Sequence, residues 1–248
     1  MRLIQISDCH LRADPDARSR LGFPWRQLEA VMAHASRLRP DILLVTGDVS
    51  QDESPASYRM AAELFDGLGC PWFWFAGNHD HPEFMQELRP FHHELDLGDW
   101  RLLCLDSRVT GQAGGELGEV QLSELAQSLA LSVELDPRPI LLAMHHHPLP
   151  IGSDWMDALG LADRDALWET LRPYPQVRAV LCGHIHQAFT QLKPCGQGSV
   201  AVYGVPSTSD QFAPLSHDFA VDEAARPGLR VVDLDGEHLE TWVERVTL

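Results

Sequence analysis

The sequence predicts an α/β fold in which two sheets pack together with helices outside, and three observations carry that prediction. From Leu3 to Leu181, short apolar runs of strand length alternate with amphipathic stretches of helical period. Beyond Ala188 the helical period stops and strand follows strand, a change of pattern that asks for a second sheet. The chain of 248 residues is 44% apolar, enough to build the core of one large domain over residues 1–248, and it contains no internal repeat, low-complexity tract or linker.

Leu3 to Ile6 is too short for a helix. Asp8 and His10 follow it two apart, so in extended geometry both side chains point one way and Cys9 the other. Leu11 to Phe23 lacks periodicity and reads as a mouth loop. Between Trp25 and Arg39, Leu28, Val31, Met32, Ala35 and Leu38 share a helical face, and Pro40 ends the pattern. Asp41 introduces Ile42-Leu43-Leu44-Val45, a buried strand that delivers Gly47-Asp48, where glycine lets the backbone turn closely. Ser54 is an N-cap with Pro55 at the first helical position, and Tyr58, Ala61, Ala62, Phe65 and Leu68 carry that helix to Gly69. The aromatic strand Trp72 to Phe75 ends in Gly77-Asn78-His79-Asp80. A short helix from Pro82 to Leu88 precedes a polar segment, where His92 and His93 read as surface residues, and then the strand Arg101 to Leu105.

Gly111 to Gly118 is glycine-rich but lacks the spacing of a phosphate-cradling loop, and a helix follows from Val120 to about Leu131. Ile140 to Met144 is a buried strand that ends in His145-His146-His147-Pro148, after which Leu149 to Gly160 forms a second mouth loop. A helix from Asp163 to Leu171, with Asp163 as its cap, leads to the strand Val177 to Leu181 and to Gly183-His184-Ile185-His186. The remaining strands are Ala188 to Leu192, Val200 to Tyr203, Leu229 to Leu234 and Leu239 to Val246, the last two joined by the hairpin signal Asp235-Gly236.

Composition removes several function classes. The formal net charge of −17 argues against a nucleic-acid-binding surface, which needs clustered cations to displace counterions from phosphates. It also sets a problem for any enzyme of anionic phosphates, and bound cations would solve it: two divalent ions bring about +4 against about −2 from Asp8 and Asp48. No apolar run of about 18 residues exists, which argues against a transmembrane helix, and the N-terminal run reads as a strand rather than a signal peptide. Five cysteines without metal-knuckle spacing fit reduced thiols in a cytoplasmic protein, with Cys9 and Cys182 as small buried apolar residues.

The polar strand ends carry the chemistry. An aspartate at a strand end ordinarily caps a turn, and a lone histidine is ordinarily a core group. Here, however, Asp8 and His10, Asp48, Asn78 with His79 and Asp80, His145, and His184 with His186 all fall where strands of an open α/β sheet end, which is where such folds place ligands. Together they read as a metal site. The order Asp-x-His, Gly-Asp, Gly-Asn-His-Asp, His-x-x-Pro, Gly-His-x-His resembles the calcineurin-like metallophosphoesterases. That resemblance implies the family's four-layer α/β/β/α sandwich of two mixed sheets flanked by helices. Carried over residue by residue, it implies that Asp8, His10, Asp48 and His186 hold one metal ion and that Asp48, Asn78, His145 and His184 hold the other, with Asp48 as the bridge. Alignment on the strand end selects His145, whereas counting back from Pro148 selects His146. His79 would contact the substrate phosphate or the leaving oxygen and serve as general acid, Asn78 would share in substrate binding, and Asp80 would orient His79 or its loop. Four imidazoles, two carboxylates and an amide oxygen favour Mn or Fe, with Zn and Co as further options, over Mg or Ca.

Outside these motifs, Gln51-Asp52, His145 to Pro150, and Pro206-Ser207-Thr208 with Gln211-Phe212 resemble the class III cyclic-nucleotide phosphodiesterases of bacteria, over nearly the whole chain from Ile4 to Val246. The resemblance implies a dinuclear phosphodiesterase that hydrolyses 3′,5′-cyclic AMP to 5′-AMP by attack of metal-bound hydroxide. Its partner is then a small cyclic nucleotide, without nucleic acid or membrane, and a homodimer is allowed. The enzymatic alternative acts on other phosphodiesters, including 2′,3′-cyclic nucleotides, glycerophosphodiesters and nucleotide diesters. An alternative of another class is a noncatalytic interaction domain on the same fold. Base selection would fall to the two mouth loops and to residues 207–212, where few charged groups are expected, so discrimination should be weak, on the order of 1–3 kcal/mol.

Overall fold

In the computed structural model, which describes residues 1–248, the alternating part of the chain forms β1 (Arg2–Ile6), α1 (Pro24–Leu38), β2 (Ile42–Val45), α2 (Pro55–Asp66), β3 (Trp72–Trp74) and α3 (Pro82–Leu88). It continues through β4 (Glu94–Leu97), β5 (Trp100–Cys104), α4 (Gly118–Leu135), β6 (Ile140–Met144), α5 (Asp154–Asp157), α6 (Arg164–Leu171) and β7 (Val177–Cys182). The strand-only part is β8 (Phe189–Cys195), β9 (Gly198–Gly204), β10 (Gly228–Asp235) and β11 (His238–Arg245).

Two mixed sheets result. The first has the order β11-β10-β1-β2-β3 and the second β4-β5-β6-β7-β9-β8. β1, β2 and β3 run parallel, with Ile6 opposite Val45 and Val45 opposite Trp74, so their carboxyl ends finish side by side. β6 and β7 are likewise parallel, with Met144 opposite Cys182. These are the strands whose ends bear the candidate ligands.

Alternation along each strand explains the layers. Leu3 and Leu44 of the first sheet face Leu102, Leu141, Ala143, Ala179 and Leu181 of the second in a core between the sheets. Their chain neighbours Ile4, Leu43 and Val45 turn outward onto Leu28, Val31 and Met32 of α1 and Tyr58 and Phe65 of α2. In the second sheet Leu142, Met144 and Val180 turn outward onto Leu122, Leu125 and Leu129 of α4 and Leu167 and Trp168 of α6. A period of two in the strands and of 3.6 in the helices therefore yields the four-layer α/β/β/α sandwich that the sequence predicts. No helix is long and apolar enough to cross a membrane.

Local chemistry sets the boundaries. Ser54 Oγ accepts from Ser57 N at 3.2 Å, and Pro55 opens α2 where a missing N–H is harmless. The assignment of Asp163 as the cap of α6 is corrected by its contacts: no side-chain cap bond forms there. Its carboxylate accepts instead from Leu117 N at 3.1 Å and Gly118 N at 2.8 Å, at the start of α4. That helix extends past the expected end at Leu131 to Leu135. The polar segment before Trp100 contains the additional edge strand β4, where buried Leu95 and Leu97 alternate with exposed Glu94 and Asp96. His92 and His93 are exposed just before it.

Candidate metal centre

Strand ends from both sheets deliver the site: Asp8 and His10 follow β1, Asp48 follows β2, Asn78 to Asp80 follow β3, His145 follows β6, and His184 and His186 follow β7. The loops are tightly turned. Asp8, His10, Asp48, His184 and His186 all have positive φ, at 57°, 49°, 52°, 67° and 50°. The expectation of extended geometry through Asp8 and His10 is therefore corrected: both are left-handed. Each such non-glycine residue costs on the order of 1–3 kcal/mol and persists only where surrounding contacts fix it. Asp8 N donates to Gly47 O and His10 N to Asp48 O, both at 3.0 Å, which lays the first loop against the second. Ser207 Oγ and Ser209 Oγ donate to Asp8 O at 2.7 and 3.1 Å.

Glycine is required beside these carboxylates. A Cβ on Gly77 would collide with the Asp48 carboxylate, and one on Gly47 would come within 2.6 Å of His145 Nδ1 and 2.7 Å of Gly77 N. Asp80 braces the same turns, with its carboxylate accepting from Gly77 N at 2.9 Å, Ser50 N at 3.0 Å and Val49 N at 3.2 Å. It thus contacts the loop backbones, whereas the His79 ring lies near Gln51 Nε2, at 3.4 Å from its Nδ1. Burial and the adjacent Asp48 charge push Asp80 up to about 7, against the pull of its three N–H donors.

The donors converge in overlapping groups: Asp8, His10 and His186 form one, Asp8, Asp48 and His145 a second, His145, His146 and His184 a third, and His10, Asp48 and His79 a fourth. Asp48 Oδ2 stands 3.4 Å from His145 Nε2 and 3.8 Å from His10 Nε2, between the two groups, while its Oδ1 accepts from His79 N at 2.9 Å. Asn78 Oδ1 lies 3.1 Å from His145 Nε2. His10 Nε2 and His186 Nε2 are 3.1 Å apart. The tautomers follow from the second ring nitrogens: His145 Nδ1 contacts Thr46 O at 2.8 Å and His186 Nδ1 contacts Asp210 O at 2.7 Å. A carbonyl can only accept, so both Nδ1 atoms carry the proton and both Nε2 lone pairs face the cluster.

This arrangement fits metal ions. Two nitrogens bound at right angles, each about 2.1 Å from one ion, stand about 3.0 Å apart. His184 Nε2 is buried without any hydrogen-bond partner. Burial lowers the neighbouring imidazoles, taking His10 down to about 4 and His184 well below its usual value, so both favour the neutral, ligating form. His145 is the exception, because the Asp48 carboxylate overrides the opposing effect of burial and raises it to about 9. The two adjacent histidines differ in their hydrogen-bond partners. The ring nitrogens of His146 are occupied by Ser107 Oγ at 2.8 Å and Ala113 O at 3.2 Å, whereas His145 Nε2 faces Asp48 and Asn78. Cys9 and Cys182 are buried in the two outer cores, and burial pushes both thiols up to about 12.

A cleft of about 500 Å³ is lined by His10, His79 and His186 together with Arg12, Arg18 and Arg20. The expectation of few charged groups around the mouth is therefore corrected: Leu11 to Phe23 brings three guanidinium groups to it. Phe212 lies flat on His186, with centroids 3.9 Å apart and planes 7° apart, and Trp155 and Phe219 pack edgewise around it. Ser207, Thr208 and Gln211, flagged in the sequence, are buried as scaffold, while Ser209, Asp210 and Phe212 reach the cleft.

The family profile of the calcineurin-like phosphoesterases matches residues 1–188. The chain is 43% identical to the 3′,5′-cyclic adenosine monophosphate phosphodiesterase CpdA of Pseudomonas aeruginosa, over 98% of this chain and 89% of that one. It is 36% identical to the protein of the same name from Escherichia coli K12, over 99% and 90% of the two chains. Among solved structures, a dimetal phosphatase from Danio rerio superposes with a TM-score of 0.70 at 14% identity, covering 99% of each chain, a likeness of fold alone.

Proposed function

Because the chain belongs to the calcineurin-like phosphoesterase family, we propose that residues 1–248 form one domain and that this domain hydrolyses 3′,5′-cyclic AMP to 5′-AMP as a dinuclear metal-dependent phosphodiesterase. One observation carries the reading: a complete set of donor side chains at the strand ends, in a chain that aligns over nearly its full length with relatives named for that reaction. Asp8, His10, Asp48 and His186 would hold one ion and Asp48, Asn78, His145 and His184 the other, with Mn or Fe favoured by the nitrogen-rich set. When bound, such a pair supplies Lewis acidity toward the phosphoryl oxygens and a nucleophile drawn from water.

The chain's own groups do the remaining work. Asp48 is placed to be shared, because its carboxylate lies between histidines of both groups. His79 lines the cleft beside His10, with ring centroids 5.1 Å apart, where a protonated imidazole can donate to a departing ribose oxygen. Asp80 keeps the loops of Asp48 and Asn78 at fixed separation through its three backbone bonds. Arg12, Arg18 and Arg20 reverse the field of a chain of charge −17 at the cleft mouth and draw in an anionic diester. The small-molecule partner and a cytoplasmic setting belong to the same reading.

Treatment of the purified protein with a chelator, followed by addition of Mn²⁺, provides the test. Loss and return of 5′-AMP production from 3′,5′-cyclic AMP supports the assignment. Undiminished turnover after complete metal removal contradicts it.

A further inference from the structure

We infer that Asp210 is a positioning residue that ties the arginine-bearing mouth loop to the ligand His186, so that metal occupancy and loop position are coupled. The inference rests on the reading of His186 as a metal ligand and goes beyond it.

Asp210 acts through two different groups. Its backbone carbonyl accepts from His186 Nδ1 at 2.7 Å, the bond that fixes the His186 tautomer. Its carboxylate accepts from Ser19 Oγ at 2.7 Å, Arg20 N at 2.9 Å and Leu21 N at 3.0 Å. Ser19 Oγ in turn accepts from Gly22 N at 3.2 Å, which closes the turn on itself. A carboxylate lining a cleft for anionic substrate would oppose binding if left free. Here its oxygens face loop donors, and hydrogen bonds to an ionised acceptor are roughly twice as strong as neutral ones.

The neighbours on either side tie position 210 to the loops that carry the candidate ligands. Ser209 Oγ donates to Asp8 O at 3.1 Å, and Gln211 Nε2 donates to Ser207 O at 2.8 Å. Phe212 covers one face of the His186 ring at a centroid distance of 3.9 Å. His186 is therefore held on its face and at Nδ1 by consecutive parts of one segment, and that segment grips residues 19–21 through the Asp210 carboxylate. The gripped turn presents Arg18 over the Phe23 ring and Arg20 over the Phe219 ring, with centroid distances of 4.9 Å in both cases. A shift of this turn moves the Asp210 carbonyl, and hence the direction of the His186 Nε2 lone pair. Partners outside the ligand sphere typically contribute roughly 10–100-fold to metal affinity. Linkage makes the effect reciprocal, so an ion that favours one His186 orientation also favours one position of the arginine loop.

Asp210→Ala separates the two links, because it keeps the carbonyl and removes the carboxylate. Metal-stripped parent and variant, both full-length, would be titrated with Mn²⁺ by calorimetry, and amide exchange of residues 18–22 followed with and without Mn²⁺. In the parent, Mn²⁺ should slow exchange at Arg20 and Leu21. In Asp210→Ala that protection should vanish, and one Mn²⁺ equivalent should bind about tenfold more weakly. Ser19→Ala, which removes one of the three anchoring bonds, should shift both readouts the same way by less, and it serves if Asp210→Ala does not fold. Parental Mn²⁺ affinity in a variant whose loop exchanges faster would overturn the coupling and leave only a loop anchor. A parent that binds no Mn²⁺ would overturn the metal reading beneath it.

Discussion

His10 Nε2 and His186 Nε2 face each other at 3.1 Å, a spacing at which one cation can take both nitrogens as ligands. In the neighbouring group, with His145 and His146, His184 Nε2 is buried and unpartnered. A cation bound only by the folded state would give these nitrogens a partner and add stability by mass action. At a free Mn²⁺ concentration of 100 times Kd the gain is about 2.7 kcal/mol. For a chain of this length that corresponds to a rise in Tm of roughly 5–10 °C. Calorimetric scans of stripped and Mn²⁺-saturated protein should show it, and identical transitions would contradict it.

Asp48→Ala should empty both metal positions rather than one, because its carboxylate stands between His10 and His145. Elemental analysis of the folded variant decides. Two retained equivalents with full turnover would remove Asp48 from the bridging role.

His145→Ala and His146→Ala should behave differently despite being adjacent. The first removes a ring whose Nε2 faces Asp48 and Asn78, and should cost one metal equivalent. The second removes the partner of buried Ser107 Oγ, so metal content should hold while stability falls by about 1–3 kcal/mol. The reverse pattern would exchange the two assignments.

His79→Ala should keep both metals and lose kcat by roughly 10²–10⁴-fold on a ribose leaving group. The loss should shrink for a nitrophenolate ester, which departs without a proton. Equal losses on both substrates would assign His79 to phosphate binding instead.

Substitution of Arg12, Arg18 and Arg20 together by Gln should lower kcat/KM for an anionic diester by about tenfold at low ionic strength, with kcat little changed. The gap should narrow as salt screens the field. A deficit that is independent of salt would point to direct contacts in the bound state.

The legibility of these features in the sequence follows their range. The strands were visible because Ile42 to Val45 and Ile140 to Met144 are short apolar runs, and the candidate ligands were visible because each lies within a few residues of such a run. The left-handed backbone of Asp8, His10, Asp48, His184 and His186 was not, because none of them is glycine and the cause lies in bonds between loops. Asp163 looked like a local cap, yet its acceptors serve Leu117 and Gly118, which no adjacent residue signals. β4 carried the right alternation but only four residues of it, with half of them exposed. The three arginines were plain in the sequence, whereas their direction was not, since an aperiodic loop does not say which side faces the cleft. Asp210 was missed for a related reason: its bond to His186 comes from the backbone, where residue type leaves no trace.

The most direct test of the account is kcat/KM of the Mn²⁺-replete enzyme for 3′,5′-cyclic AMP, 3′,5′-cyclic GMP, 2′,3′-cyclic AMP, a bis-aryl phosphodiester and a monoester, with the products identified. The account predicts efficient conversion of 3′,5′-cyclic AMP to 5′-AMP, turnover of cyclic GMP and the aryl diester, and poor turnover of the monoester. Indifference to 3′,5′-cyclic AMP alongside efficient cleavage of another diester would contradict the cyclic-nucleotide assignment.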